Sequence, residues 1–506
     1  VRIRIVVVVV LVVLLVGLYV GTVGHEPTVR PIPTVAVATN VGTGPDSPAF
    51  AVPPPAPLAW AHCENGAECA TLSVPRDYTH PDAGSIGLFL KRVPAKSAAK
   101  RIGSLLVNPG GPGIPGTVLV AAENFSTTLA ERFDIVGWDP RGTGRSSRIE
   151  CVDDMDPYEG ALDPTPDTPD ERQLLVERTK QFVAACQARS GALLPFVSTA
   201  DSARDMEQIR RALGEQTITY FGFSYGSKLG ATYATLFPKS VRAMVIDGAG
   251  DPNATHEQGD LQYVVASERA LDKLLGQCSA DAKCPFNNGG NAPGAFDKLW
   301  TDLDAHPLVV KGAPGRPAVG QGVMAWAIVE ALYQHESWPY LEKAFAAAQK
   351  GDGKPLLDLY DEYFRRGDAI FAHAVDALDA IDCLTYDGPA DVAALDQLAV
   401  KEKAVAPRVG GQAFYTCALW PVRQAPVAVT GKGAGPIVVI GTTGDPVTPI
   451  EASTNMAKAL EGGVLVTAQA DQHTGYFTST CINDLVDHYL VDKVVPPAGT
   501  VCAPSP

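Results

Sequence analysis

Thr217-Ile218-Thr219-Tyr220-Phe221-Gly222-Phe223-Ser224-Tyr225-Gly226 leads from an apolar, β-branched run into a serine standing between two glycines. Thr217 to Phe221 reads as a strand, and Ser227 to Phe237 reads as a helix that stops at Pro238. A strand turning straight into a helix needs a very tight corner. Residues two before and two after the serine then have almost no room for a side chain, which glycine satisfies. Such a corner lifts the Ser224 hydroxyl above the sheet and aims the Tyr225 N–H at the same point. An ordinary Gly/Ser turn is the bland alternative, and the strand-before, helix-after setting argues against it.

On either side of this corner the texture is that of a parallel sheet. Ala70 to Val74, Ile86 to Val93, Ser104 to Val107, Phe133 to Trp138 and Val241 to Ile246 read as strands, punctuated by Pro75-Arg76-Asp77 and Asn108-Pro109-Gly110-Gly111. Glu207 to Leu213 reads as the end of an amphipathic helix. Strands alternating with helices imply an α/β architecture: a mostly parallel sheet with helices on both faces. From about Asp251 to Gly431 the strand signal fades. Helical runs replace it at Leu271 to Leu275, Val323 to Tyr333, Tyr340 to Gln349 and Leu356 to Phe364. Strands return at Ile437 to Ile440 and Val464 to Thr467. The expected division is therefore a sheet-forming core at 59–251 and 431–506, interrupted by an inserted helical lid at 252–430.

A serine hydroxyl needs an adjacent base, and the base needs a third group to orient it. On this kind of sheet the chain order is Ser, acid, His, with the last two on loops after late strands. Asp445 follows the strand Ile437 to Ile440, and His473 follows Val464 to Thr467. Ser224 is thus expected as nucleophile, His473 as general base and then acid, and Asp445 as the orienting carboxylate. Asp247, at another strand end, and Asp471 are the rivals of Asp445. The developing oxyanion needs N–H donors. Tyr225 supplies one, and Asn108-Pro109-Gly110-Gly111-Pro112-Gly113 the other, with Gly111 preferred and Gly110 next. No metal or organic cofactor is implied, because no ligand cluster is present and the three side chains suffice.

The chain has 506 residues, 46% of them hydrophobic and 19% charged, and a net charge of −15. That is a globular composition, and the acidic balance argues against a nucleic-acid partner. Val1-Arg2-Ile3-Arg4, the uncharged run at 5–20 and the small residues Gly21, Thr22 and Gly24 have the form of an export signal. Residues 1–24 are expected either to be cut off or to stay as a membrane anchor. In both cases the rest is secreted or displayed outside the cytoplasm. Residues 25–58 read as a Pro-rich linker. Ten cysteines without C-x-x-C spacing fit structural bridges in an oxidising compartment. Sequence leaves the connectivity open. Pairing neighbours costs the chain least: Cys63 with Cys69, Cys151 with Cys186, Cys278 with Cys284, Cys383 with Cys417, and Cys481 with Cys502.

Asn108 to Gly113, Trp138-Asp139-Pro140-Arg141-Gly142-Thr143-Gly144-Arg145-Ser146 and Gly222 to Gly226 occur in this order. Together they resemble the α/β-hydrolase peptidases related to prolyl iminopeptidase. The closer likeness is to secreted bacterial tripeptidyl aminopeptidases and their serine protease relatives in mycolic-acid bacteria. Asp247-Gly248, Trp338-Pro339 and Cys417-Ala418-Leu419-Trp420-Pro421 add to it, over roughly Trp60 to the C-terminus. Prolyl iminopeptidases usually carry His-Gly-Gly-Pro-Gly where this chain has Asn108-Pro109 ahead of Gly110-Gly111, which weakens any expectation of narrow proline specificity. The resemblance implies an exported serine exopeptidase acting on peptide substrates, releasing short N-terminal fragments, tripeptides above all, through an acyl-enzyme. A peptidase of that kind needs carboxylates for the substrate α-ammonium, and Glu330, Glu336, Asp379 and Asp382 in the lid are the candidates. A carboxylesterase or lipase with the same triad is the first alternative, and a non-catalytic binding protein on a hydrolase fold the second.

Overall fold

The computed structural model describes residues 52–121 and 124–504. The export segment at 1–24, with its membrane attachment through 5–20, and most of the linker lie outside the described residues. Among the described residues no helix is long and apolar enough to cross a membrane.

A ten-stranded sheet forms the body, in the order β1-β2-β3-β5-β4-β6-β7-β8-β9-β10. Its strands are β1 (Ala61–His62), β2 (Glu68–Pro75), β3 (Ser85–Val93), β4 (Gly103–Asn108), β5 (Phe133–Trp138), β6 (Ile218–Phe223), β7 (Val241–Asp247), β8 (Ile437–Thr442), β9 (Gly463–Ala468) and β10 (Thr500–Cys502). β1, β2 and β3 pair antiparallel, as do β3 and β5; every pairing from β5 to β10 is parallel.

Successive residues of a strand face opposite sides, so an apolar run serves two cores at once. Leu106, Tyr220, Met244, Ile246 and Val439 face one core, which also takes Met206 and Ile209 of the helix Thr199–Ala212 and Leu229 and Tyr233 of Tyr225–Leu236. Leu105, Val107, Phe221, Val245, Val438 and Ile440 face the other, against Leu129 of Thr127–Arg132 and Ile482, Val486 and Tyr489 of Thr480–Asp492. This two-sided burial is why these strands read as continuous apolar runs.

Between β7 and β8 the chain is helical. The helices His256–Ala280, Ala292–Ala305, Gln321–Leu332, Trp338–Ala348 and Lys354–Tyr363 share a core of their own around Leu271, Phe296, Met324, Leu341, Phe345 and Leu356. The helix Ala374–Leu384 behaves differently, because its Ala377, Ala380, Ile381 and Leu384 pack into the sheet core. The helical segment thus has an outer part with its own apolar centre and one helix seated on the sheet.

The cysteines form five neighbour bridges: Cys63–Cys69, Cys151–Cys186, Cys278–Cys284, Cys383–Cys417 and Cys481–Cys502. Such bridges suggest an extracellular environment. The Asp139-to-Ser146 motif braces the structure: Asp139 accepts from Thr117 and from the Arg145 N–H. Arg141 is fully buried and bonds Asp205 at 2.6 and 2.8 Å.

Candidate active site

The carboxyl ends of β4, β6, β7, β8 and β9 share one edge of the sheet, and every expected site loop leaves from it. Ser224 follows β6 directly, with φ 53° and ψ −123°, and the helix Tyr225–Leu236 starts at the next residue. The two glycines are forced. A Cβ on Gly222 would lie 2.4 Å from Gly226 O, and one on Gly226 would lie 2.9 Å from Asn108 O. Tyr220 Oη closes the corner by donating to Gly226 O at 2.8 Å, and Ser224 N–H donates to Asp247 O at 2.8 Å. Non-glycine residues visit positive φ at a cost, so the corner is held by these bonds.

The loop after β4 lies directly against the elbow. A Cβ on Gly110 would stand 2.6 Å from Phe223 O, 2.8 Å from Ser224 Cβ and 3.1 Å from Tyr225 N. Gly110 N–H itself donates to Asn108 Oδ1 at 3.0 Å, which turns it away from a substrate oxygen. Of the two glycine amides, that leaves Gly111 as the candidate donor beside Tyr225. Gly110→Ala is predicted to push the elbow out of place, since Gly110 has φ 100° and no free volume. A displacement near 1 Å costs about a hundredfold in rate. The second-order rate of labelling by a fluorophosphonate probe measures it.

His473 and Asp445 are brought together. His473 Nδ1 bonds Asp445 at 2.9 and 3.0 Å, and both side chains are buried. Asp445 is held by four further bonds, from Val447 N, Thr448 N, Thr448 Oγ1 and Thr474 N. Burial pulls the imidazolium pKa down, but the Asp445 carboxylate, with Asp247 behind it, more than offsets this and leaves it above the ordinary value. His473 Nε2 is buried and bonds no protein atom among the described residues. The ring lies at the elbow side of the sheet edge: a Cβ on Gly248, next to the Asp247 that holds Ser224, would come within 3.2 Å of His473 Cε1. The rivals of Asp445 are occupied elsewhere. Asp247 accepts from Gly475 and Tyr476 N–H, and Asp471 pairs with Lys273 at 2.7 Å.

The helical segment closes over this edge. His473 N–H donates to Tyr333 O at 2.9 Å, and the Tyr333 ring meets the imidazole edge-on at 5.3 Å. A Cβ on Gly113 would clash with Ala374 O at 2.1 Å, so the helix Ala374–Leu384 sits on the loop after β4. Three of the four expected acids line this region half-buried: Glu330, Asp379 and Asp382. Burial pushes the Glu330 carboxyl up to about 7 and those of Asp379 and Asp382 upward, with Lys228 drawing Asp382 back. Glu330 and Asp445 both lie within electrostatic reach of the Tyr333 phenol, and Asp382 within reach of Tyr225. Glu336 departs from expectation. It is exposed on the short turn His335–Ser337, whereas the other three are half-buried.

The model of the alpha/beta hydrolase fold family matches residues 103–480. The chain belongs to the alpha/beta hydrolase fold family. It is 34% identical over 479 residues to serine protease Hip1 of Mycobacterium tuberculosis, spanning 88% of this chain and 91% of that protein. It is 34% identical over 459 residues to carboxylesterase B of the same organism, spanning 87% and 86%. With tripeptidyl aminopeptidase of Streptomyces lividans it shares 31% over 457 residues, spanning 86% and 84%. This alpha/beta hydrolase is a serine hydrolase.

Three residues beside the candidate site were not singled out in the sequence, although one of them, Thr448, carried a local signal. Glu159, before the helix Pro169–Ser190, accepts from Trp326 Nε1 at 3.0 Å, and burial pushes its carboxyl up to about 7. It lies within electrostatic reach of Asp379. No local pattern marks it, since only the tertiary fold brings it under the helical segment. Tyr333 is equally silent, being one more aromatic at a helix end. Thr448 was legible: an Asp-x-x-Thr turn directs hydroxyl and N–H back to the carboxylate, as Thr448 does to Asp445.

Proposed function

We propose that this chain is an exported serine exopeptidase that removes short N-terminal peptides, with tripeptides the favoured fragment. Ser224 attacks the scissile carbonyl while His473 Nε2 takes its proton, and Asp445 holds the Nδ1–H tautomer. The N–H groups of Tyr225 and Gly111 receive the oxyanion. The leaving amine takes the proton from His473, and water activated by the same imidazole releases the acyl fragment.

The observation that carries the exopeptidase reading is the group of half-buried carboxylates, Glu159, Glu330, Asp379 and Asp382, beside Tyr333 and the elbow helix. Carboxylates whose pKa is raised by burial are short of positive charge, and a peptide α-ammonium supplies it. The peptidase relatives support the same reading. Carboxylesterase B among the relatives favours ester hydrolysis by the same triad as the second reading.

Hydrolysis of a free-amine tripeptide anilide, its N-blocked form and a short acyl ester separates the two. The exopeptidase reading predicts a strong preference for the free amine; cleavage of the ester alone would establish the second reading instead. Glu330→Gln should raise KM for the free amine about tenfold, the worth of one charged hydrogen bond, with a smaller change for the blocked peptide. Because the Glu330 and Glu159 carboxyls sit at about 7, they ionise as pH rises through that value. KM for the free amine should therefore fall as pH rises through about 7, up to the point near about 8 where the substrate α-ammonium itself loses its proton, while KM for the ester stays level.

A further inference from the structure

We propose that Asp247 is a positioning residue of the reaction, one buried residue whose backbone carbonyl holds the elbow and whose carboxylate holds the histidine loop. The proposal rests on the triad reading above. Asp247 is fully buried at the carboxyl end of β7, opposite Phe223 in the sheet register. Its backbone carbonyl accepts the Ser224 N–H at 2.8 Å. Its carboxylate accepts Gly475 N–H at 2.8 and 3.0 Å and Tyr476 N–H at 2.7 Å, two and three residues beyond His473. Hydroxyl and imidazole are thus both referred to a single residue.

The neighbours of Asp247 fit that role. Gly248 N–H donates to Ile440 O at 3.0 Å, joining the same corner to β8. Gly248 has φ 67°, and a Cβ there would stand 3.2 Å from His473 Cε1 and 3.1 Å from Thr448 Oγ1. The pair Asp247-Gly248 therefore offers a carboxylate to one loop and bare backbone to the imidazole. The histidine loop also needs an external hold, because Thr474 and Phe477 adopt φ 68° and 70° without being glycine.

The ionisable groups facing Asp247 are His473 and Asp445 on their loops, while Tyr333 of the helical segment faces the imidazole from the other side. Burial pushes the Asp247 carboxyl up to about 7, against the pull of the Gly475 and Tyr476 N–H bonds and of His473. In its ionised form it keeps both N–H groups and adds negative charge beside the imidazole. On protonation it loses acceptor strength and that charge together.

Asp247→Asn is the test, assayed on the full chain with the short acyl ester and with active sites counted by fluorophosphonate titration. Turnover per labelled site should fall about a hundredfold at unchanged KM. The acid limb of kcat/KM should move to lower pH, since a negative neighbour of His473 is gone. A purely structural aspartate would lower melting temperature and the yield of sites only. Wild-type turnover per site, or an unmoved acid limb, overturns the proposal. Should that variant not fold, Asp247→Ser, which offers the Gly475 and Tyr476 N–H groups an uncharged acceptor, is read in the same way: wild-type turnover per labelled site or an unmoved acid limb overturns the proposal. Activity surviving in Ser224→Ala would instead remove the triad reading itself.

Discussion

Ser224→Ala is expected to lower kcat/KM by at least about 10^4-fold, leaving only what binding and oxyanion donors contribute. Only Oγ is removed. Alanine keeps the Cβ that Gly110 packs against, and it keeps the strain of φ 53°, so the folded state is otherwise unchanged. Folding stability should change by no more than an ordinary surface substitution does, about 0.5 kcal/mol. Ser224→Gly separates strain from chemistry. It should be as inactive as alanine but more stable by about 1 kcal/mol, because glycine accepts positive φ freely. Thermal unfolding of the three proteins beside their hydrolysis rates tests both statements. A stable, inactive glycine variant would show strain kept at the elbow for the sake of the hydroxyl's position.

Asp445→Asn should cost about 10^4-fold in kcat, through the tautomer. The carboxylate accepts Nδ1–H from His473 and four other donors, an environment made for an anion. An amide there must turn an N–H toward one of these donors or toward Nδ1, and the latter leaves the proton on Nε2, where Ser224 needs a base. Asp247 does not replace it, because its oxygens are taken by Gly475 and Tyr476. The pH profile adds a signed check. The His473 imidazolium pKa lies above the ordinary value, and the neutral ring is the base. Wild-type activity should therefore rise with pH through a midpoint above about 6.5. Residual activity of Asp445→Asn should rise at lower pH, since the charge that held the proton is gone.

Much of this candidate site is legible in the sequence because its corners are local. The elbow demands glycine at 222 and 226, and the close approaches of Gly226 O and Asn108 O explain both. Buried parallel strands announce themselves as apolar runs, so β4, β6, β7 and β8 and the loops after them were visible. Choosing between Asp445 and Asp247 was harder, because both follow strand ends and only the facing of each loop decides which meets Nδ1. Between Gly110 and Gly111 the Asn108 side chain decides, by taking the Gly110 N–H. The helical segment was readable as helices, but which of its acids are half-buried was not. Which acid of an amphipathic run turns inward depends on what the helix is packed against. Glu330, Asp379 and Asp382 are half-buried, whereas Glu336 faces water and Glu159 joins from a distant segment.

Mapping the residue modified by a fluorophosphonate probe, in the wild type and in His473→Ala, bears most directly on the proposal that Ser224 is activated by His473. The modification should fall on Ser224 alone and should slow by several orders of magnitude when the imidazole is removed. Modification of another residue, or equal labelling rates in the two proteins, would contradict it.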